Sequence, residues 1–364
     1  MIEPVTQVPT YYSTKVDALR DLFGTRSVTV DAGRIVVEGR AYPIIDDVIV
    51  LTGRDRAPAS IRQAVEASQA DAGDSGFAAD IQATFGAEWQ SFPDILPEHE
   101  TEFLQYFDVA DFGAIDGGRV LDLGCGIGRW SYFLKDRARE LVLVDFSDAI
   151  FVARRNLRAA DNALFFLGDL TSLPFRDNCA DAAFSLGVLH HLPIDALVAA
   201  RGIARLAPNL LLYLYSAFDG RPASFRMLFH FADKVRRRTS QIESAAFRSA
   251  FTWAATFALY LPLIALGHVA RPLGLASYVP LYDFYRSKSV DRIRQDVYDR
   301  FFTAIEQRFT RAQIRTLGDT FSVIRISHQL PYWHFWCQRA DHTLPPAMPE
   351  PVAVSSKVRV PSTS

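Results

Sequence analysis

A regular alternation of apolar runs and helical patterns between Arg119 and Ser216 constrains the fold more than any other feature. The apolar runs are RVLDLG, ELVLVDF, ALFFLGD, ADAAFSLGVL and NLLLYLYS. Segments with helical periodicity stand between most of them, such as DAIFVARRNLRAA and IDALVAARGIARL. Strands that alternate with helices of about 10–15 residues form a parallel sheet covered on both faces. The sequence therefore predicts a doubly wound α/β fold.

The alternation stops at Ser216 and returns near Thr310. The later segment contains a capped helix, TRAQIRTLGD, and two strand-like runs, FSVIRIS and YWHFWCQ. Only HQLP separates these runs, which is too short for a crossover helix, so we expect an antiparallel pair at one end of the sheet. The prediction is a seven-stranded, mostly parallel sheet, with residues 217–309 inserted as a mainly helical cap.

Composition distinguishes the remaining segments. Residues 1–53 contain short β-branched runs and are expected to form a small β-ribbon. Residues 54–118 are interpreted as a linker with lead-in helices, and residues 119–216 and 310–340 as the core. The tail, residues 341–364, contains five prolines and is expected to be disordered.

Charge and cysteine content narrow the function classes. The net charge of −2 argues against nucleic-acid binding. The three cysteines are far apart and form no CxxC pair, so we expect neither a disulfide framework nor a metal site. The first residues lack the basic and apolar stretches of a signal peptide, which favours a cytoplasmic location.

The first strand runs into the loop VLDLGCGIGRW, whose glycines are spaced G-x-G-x-G. A dinucleotide fingerprint would need G-x-G-x-x-G, and Arg129 stands where its third glycine would be. Asp122 precedes this loop, and its charge would repel a pyrophosphate. Asp145 and Asp169 end the next two strands, where carboxylates can accept hydrogen bonds from a ribose and from an adenine amino group. An adenosine that carries a positive amino acid fits these residues, and S-adenosylmethionine is such a ligand.

The same motifs resemble those of the class I S-adenosylmethionine-dependent methyltransferases. VLDLGCGIGRWS is similar to their first motif, LVLVDFS to their ribose loop, FLGDLTSLPF to their adenine loop and DAAFSLGVLHHLP to their strand-four motif. The resemblance implies a Rossmann-like methyltransferase fold with S-adenosylmethionine as cofactor. Asp122 and the glycine loop would face the methionine part, Asp145 the ribose, and Phe146 and Asp169 the adenine. The cofactor-binding residues implied are Asp122, Gly124, Cys125, Gly126, Gly128, Asp145, Phe146, Gly168, Asp169, Leu170, Leu186 and Gly187.

A second resemblance concerns the N-terminal segment. GRIVVEGRAYPIIDDVIVL (Gly33–Leu51) resembles the second half of a small zinc-ribbon-like module that precedes some bacterial methyltransferases. The cysteines of that module are absent, so we expect a remnant ribbon without zinc. Such a remnant would pack on the catalytic domain or help it to dimerise.

Two histidines, His190 and His191, follow the fourth strand of the core. A histidine there can act as base if the acceptor is a hydroxyl group. The alternative is that one caps a helix and the other packs against the cofactor. His190 is the preferred base. Aromatic residues expected to line the substrate site are Phe85, Trp89, Tyr215 and Tyr282.

The predicted function is methyl transfer from S-adenosylmethionine to a small-molecule or amphiphilic acceptor, most readily at oxygen. A non-catalytic S-adenosylmethionine-binding sensor or scaffold is one alternative. A nicotinamide-dependent oxidoreductase is another, which the glycine spacing and Asp122 oppose.

The cap contains an apolar segment, Phe251–Ala270, that has no Asp, Glu, Lys or Arg. Its length would admit a membrane-spanning helix, but Pro262, His268 and the lack of a second span argue against one. Residues 221–315 hold 16 Lys and Arg against 7 Asp and Glu. Two interpretations stay open: a buried core of the cap, and peripheral contact with anionic lipid at the inner face of the membrane.

Overall fold

The computed structural model describes residues 10–31, 33–65, 79–217, 223–242, 244–328 and 332–340. The tail predicted to be disordered lies outside these residues. The strands are β1 (Val28–Asp31), β2 (Arg34–Val37), β3 (Arg40–Ile45), β4 (Val48–Val50), β5 (Arg119–Leu123), β6 (Glu140–Asp145), β7 (Ala163–Leu167), β8 (Ala182–Leu186), β9 (Asn209–Ser216), β10 (Arg308–Phe309), β11 (Val323–Ile326) and β12 (Trp333–Gln338).

Helices cover both faces of the sheet and build the cap. They are α1 (Val16–Phe23), α2 (Ala79–Ser91), α3 (Glu98–Tyr106), α4 (Arg129–Leu134), α5 (Ala149–Asn156), α6 (Ala196–Ile203), α7 (Ala223–Thr239), α8 (Ala245–Ala255), α9 (Leu261–Ala270), α10 (Tyr282–Tyr285), α11 (Val290–Phe302) and α12 (Arg311–Arg315). The sequence places clear start signals at some of them. Asp195 caps α6 through the Leu197 and Val198 amides, and Thr310 and Gln313 form a capping box at α12.

Seven strands form the centre of the sheet in the order β7-β6-β5-β8-β9-β12-β11. β5 to β9 are parallel, and β12 runs antiparallel to both β9 and β11. Every residue of β5, β6 and β7 is buried, as expected for parallel strands with helices on both faces. The predicted fold class is confirmed. The order reverses between β6-β5 and β8, and ligands of such sheets bind at this point, beyond the carboxyl ends of the strands.

The N-terminal strands extend the same sheet and do not form a separate ribbon. β1 to β4 are an antiparallel meander, and β4 pairs in parallel with β7 through Ile49 and Val50. The hydroxyl of Tyr12 links this extension to β7 by hydrogen bonds. It donates to the Asp47 carbonyl at 2.7 Å and accepts from the Phe165 amide at 3.2 Å.

The cap is a helical unit with its own apolar core. Tyr260, Tyr282, Tyr285, Val297 and Phe302 are among the side chains buried there. Residues 245–273 form one continuous helical stretch, in which a π-helical segment (Thr256–Tyr260) joins α8 to α9. By length and composition alone this stretch could cross a membrane, yet only 28% of its apolar window is buried in the protein. The predicted buried cap core therefore lies largely beside this stretch and not in it.

We expect Tyr12→Phe to destabilise the folded protein. Tyr12 is fully buried, and the substitution removes its hydroxyl group. The Asp47 carbonyl and the Phe165 amide then lose this hydrogen-bond partner. The free energy of unfolding should fall by about 1–3 kcal/mol. Urea denaturation followed by circular dichroism measures this change. Tyr278→Phe is the control, because that side chain is 63% exposed, and an equal effect of both substitutions would contradict the role of Tyr12.

Candidate active site

A cavity of about 930 Å³ lies at the carboxyl ends of β5, β6, β7 and β8. We call it the cofactor pocket. Most of the residues that the sequence assigned to cofactor binding line it: Gly124, Cys125, Gly126, Asp145, Phe146, Gly168, Asp169, Leu170, Leu186 and Gly187.

The glycine loop has a backbone that only glycine adopts easily. Gly124 has φ +81°, and a Cβ there would stand 2.5 Å from the Val188 side chain. Gly126 has φ +52°, and a Cβ there would meet the Trp89 indole at 3.1 Å. The loop backbone therefore forms a floor that a side chain would fill, which is the cradle that a close-lying ligand needs.

The Asp145 carboxylate organises this floor. It accepts hydrogen bonds from the Gly126 amide at 2.8 Å and from the Ser147 amide and hydroxyl at 2.9 and 2.7 Å. Burial raises the pKa of Asp145, and the bonds from Ser147 and Gly126 oppose that rise. Because Asp145 also lines the pocket, it can both hold the loop and accept a bond from a ribose hydroxyl.

Asp169, which follows the neighbouring strand β7, also lines the pocket. One of its carboxylate oxygens accepts from the amide and hydroxyl of Thr171 at 2.8 and 2.7 Å, so Asp169 forms the turn after β7. Leu170 and Phe146 lie beside it along the pocket wall. An apolar slot with a carboxylate at its rim suits an adenine ring.

Two residues predicted to touch the cofactor lie behind the loop instead. Asp122 is 2% exposed and does not line the pocket. Its carboxyl accepts from the Ser131 hydroxyl at 2.7 Å, and burial raises the pKa of Asp122 to about 8. Gly128, with φ +73°, faces Ala153 and Leu157 of the α5 region. Both positions support the loop from the core side, because strand residues alternate between faces and the loop turns Gly128 towards a helix.

The two histidines occupy different environments. His190 is fully buried between His191 and Tyr215, and it lines neither this pocket nor the neighbouring cavity. Burial lowers the pKa of His190 well below its usual value, and the proximity of His191 lowers it further. His191 lines the cofactor pocket. The geometry thus favours His191 as the base, the reverse of the preference drawn from the sequence.

A second cavity of about 670 Å³ adjoins the first, and we call it the polar chamber. The cavities share Phe85, Trp89, Arg129, Trp130, Leu186 and Gly187. Tyr215 lines the chamber as expected of a substrate wall, whereas Tyr282 is buried in the cap core and lines neither cavity. Tyr282 fills the space above Gly267 of α9, so its ring is committed to packing.

Sequence reasoning missed most of the chamber. Its polar wall comes from α2, α3, α10, α11, β9 and the residue before β12: Glu88, Tyr106, Tyr213, Tyr285, Arg292, Gln295, Asp296, Asp299, Arg300 and Tyr332. The charged face of VDRIRQDVYDRFF was the available signal, but it looks the same as a solvated helix face.

Comparisons with known proteins agree with this site. Residues 120–208 match the sequence model of a methyltransferase domain family. A malonyl-[acyl-carrier protein] O-methyltransferase of Pectobacterium atrosepticum is 35% identical over 72 residues, which are 20% of this chain and 28% of the relative. A demethylmenaquinone methyltransferase of Renibacterium salmoninarum is 37% identical over 90 residues, 24% of this chain and 37% of the relative. The aligned segments thus span about a third of these curated relatives.

Two solved structures align with this chain at low TM-scores and low sequence identity. A SAM-dependent methyltransferase from Aquifex aeolicus aligns with a TM-score of 0.30 and 19% identity, over 38% of this chain and 79% of that one. Magnesium protoporphyrin IX methyltransferase from Synechocystis aligns with a TM-score of 0.37 and 14% identity, over 74% and 90%.

The central domain is a class I S-adenosylmethionine-dependent methyltransferase domain. The strand order, the pocket at the switch point of the sheet and the match over residues 120–208 all define this class. S-adenosylmethionine is its methyl donor, and the glycine floor with Asp145 and Asp169 fits that group.

Gly124→Ala should weaken binding of S-adenosylhomocysteine by about ten-fold or more. The new methyl group clashes with Val188 and a left-handed backbone is strained for alanine, so the loop must move out of its ligand-binding position. Isothermal titration calorimetry measures the affinity. Gly318→Ala serves as the control, since a Cβ there meets nothing within 4 Å. Unchanged affinity in Gly124→Ala would contradict the assignment of this loop.

Proposed function

We propose that the protein transfers a methyl group from S-adenosylmethionine to an oxygen atom of a small-molecule acceptor. The observation that carries this proposal is the junction of two cavities at Leu186 and Gly187, with His191 beside it. A protein that only senses the cofactor needs one pocket, whereas a transferase needs a second cavity that reaches the methyl group. The relatives bear names of both O- and N-methyltransferases, so the acceptor oxygen is supported by the histidine alone.

His191 is oriented for proton acceptance. Its Nδ1 lies 2.7 Å from the Ile305 carbonyl, which can only accept, so the proton of the neutral ring is on Nδ1. Nε2 then carries the lone pair, and it lies 3.8 Å from an Asp299 carboxylate oxygen. Asp299 can stabilise the imidazolium that forms when Nε2 takes a proton from an acceptor hydroxyl. S-adenosylmethionine supplies an electrophilic methyl group, and the enzyme's part is to align it with the acceptor.

His191→Gln should lower kcat by about 10²–10⁴-fold and leave the affinity for S-adenosylhomocysteine within about two-fold. Glutamine fills the space but cannot act as a base near neutral pH. The assay is transfer of a labelled methyl group into a small-molecule extract. His230→Gln, at an exposed position of the cap, is the matched control. Full turnover in His191→Gln would contradict the assignment of His191 as the base. Absence of methyl transfer by the wild type into any extract would overturn the proposed activity.

A second proposal concerns the outer surface of the cap: peripheral contact with an anionic lipid surface. Among the described residues, eleven of the thirteen exposed large apolar side chains lie between Met227 and Val290. They include Phe257, Leu266, Val269 and Leu273 of the long helical stretch, which are 55–71% exposed. Such a concentration is unusual for a surface that meets only water. The cap also exposes cations that anionic lipid would attract: Lys234, Arg237, Arg238, Arg271 and Arg286.

The double variant Phe257→Glu, Leu273→Glu should lose most of its binding to anionic liposomes at low salt. Each substitution adds a negative charge to the apolar surface without entering the core. Co-sedimentation with phosphatidylglycerol vesicles measures the bound fraction. Leu104→Glu is the control, because Leu104 is 63% exposed but lies on α3, outside the cap. A wild type that never sediments with these vesicles would contradict the proposal.

A further inference from the structure

The lining of the polar chamber does not suit an apolar acceptor. None of residues 251–270 lines it, so the apolar helical stretch of the cap does not face the acceptor. Six charged side chains line it instead: Glu88, Arg129, Arg292, Asp296, Asp299 and Arg300. An acyl chain or an apolar ring in this space would strip water from these groups without replacing it. The acceptor must therefore bring polar groups into the chamber.

Some of these charges neutralise each other. Arg292 donates to Glu102 at 3.0 Å and also pairs with Asp296. Glu102 additionally accepts from Lys288 at 2.7 Å. Burial would raise the pKa of Glu102, but Arg292, Arg129 and Lys288 hold it at about 2. The charged groups of this cluster therefore already have partners within it.

Two guanidinium groups are left without adequate anionic partners. Nε and Nη1 of Arg129 are buried without a hydrogen bond, and Nη1 reaches Glu102 only at 3.9 Å. Arg300 has no hydrogen bond or ion pair with any described residue and lies 5.8 Å and 4.8 Å from the ring centres of Tyr215 and Phe229. The carboxylate of Glu306 is nearby, but it pairs with Arg308.

The anionic side chains of the chamber do not balance this excess. Asp299 accepts from the Tyr215 hydroxyl at 2.7 Å and the Thr303 hydroxyl at 3.1 Å, so both of its carboxylate oxygens already have donors. Burial and the nearby Asp299 raise the pKa of Glu88 well above its usual value, which favours its neutral form. Arg129 and Arg300 thus line the chamber with guanidinium groups that make few or no direct hydrogen bonds, beside the carboxylate of Asp299. The hydroxyls of Tyr213 and Tyr332 add donors that make no hydrogen bond with the described residues.

We propose that the acceptor carries a carboxylate or phosphate group, which Arg300 binds in the polar chamber, with Tyr213 and Tyr332 as further donors. The inference rests on the proposed methyl transfer, since it assigns the chamber to the acceptor. Arg300 is the specificity-determining residue, because of these two arginines it lines only the chamber. Arg129 lines both the chamber and the cofactor pocket. A guanidinium group matches both anions, because its planar fork can donate two parallel hydrogen bonds.

The test uses the full chain saturated with S-adenosylhomocysteine. Its melting temperature is followed while sodium phosphate or sodium malonate replaces sodium chloride at constant ionic strength. Specific binding should raise the wild-type melting temperature by about 2 °C or more with a saturable dose response. Arg300→Gln should bind the anions about ten-fold or more weakly, and Arg300→Lys should be intermediate. Arg286→Gln, at an exposed cap position, should behave like the wild type.

Phosphate also stabilises proteins without binding a site, so the decisive quantity is the difference between wild type and Arg300→Gln. Equal responses of these two proteins would overturn the proposal. A stronger response to phosphate or to malonate identifies which anion the chamber prefers. Calorimetry of S-adenosylhomocysteine binding runs in parallel, and loss of that binding in the wild type would instead overturn the proposed function.

A second measurement addresses the acceptor itself. A small-molecule extract is separated on an anion exchanger at pH 8, and both fractions are offered to the enzyme with labelled S-adenosylmethionine. Acceptor activity should be in the retained fraction, and phosphatase treatment of that fraction should abolish its retention only if the group is a phosphate. Acceptor activity confined to the flow-through would overturn the proposal.

Discussion

The attachment of the glycine loop to the end of β6 is the constraint on which the rest of the site depends. The Val144 carbonyl accepts from the Gly124 and Cys125 amides at 2.8 and 3.0 Å, and the next residue, Asp145, accepts from the Gly126 amide. Three consecutive loop amides are thereby fixed by two consecutive residues of one strand. The left-handed turns of the loop persist because these bonds stabilise them. Both the floor of the cofactor pocket and the position of Trp89 above it follow from this attachment.

The cap is tied to the core by charge and not only by apolar packing. Glu102, on α3 of the core side, accepts from Lys288 and Arg292 of the cap and lies near Arg129 of α4. Buried ion pairs of this kind contribute little net stability, because desolvation offsets their attraction. They do fix geometry, since any shift of α11 would leave buried charges without partners. The cluster thus fixes the position of Arg292 and Asp296, which line the polar chamber.

The sequence sufficed to predict the central sheet, the antiparallel last strand and the residues around the glycine loop. These features are encoded locally, in apolar strands of fixed length and in loops that follow them directly. Asp122 was placed wrongly because a sequence pattern shows that a residue is at a strand end but not which face of the sheet its side chain takes. The preference for His190 over His191 was reversed for a similar reason. A shift of one position along the chain separates a side chain in the core from a side chain in the pocket.

The chamber was beyond sequence reasoning for a different physical reason. Glu88, Tyr213 and Arg300 meet only because three separate segments, α2, β9 and α11, fold together, and no periodicity relates them. The apolar segment of the cap was interpreted correctly as helical but its surroundings could not be inferred. The composition of a segment shows how apolar a helix is. It does not show how much of that helix is buried, because burial depends on packing against other segments.

The two ends of the cap insertion lie side by side. Tyr215 and Ser216, where the chain leaves the core, pair in parallel with Arg308 and Phe309, where it returns. The insertion therefore leaves and re-enters the sheet at neighbouring positions, and this pairing fixes its two ends independently of the residues between them. Insertions with adjacent ends are tolerated well, because the host fold need not stretch to accommodate them. A different insertion between Ser216 and Arg308 would therefore leave the sheet undisturbed, provided that it supplied new cationic partners for the buried Glu102 carboxylate.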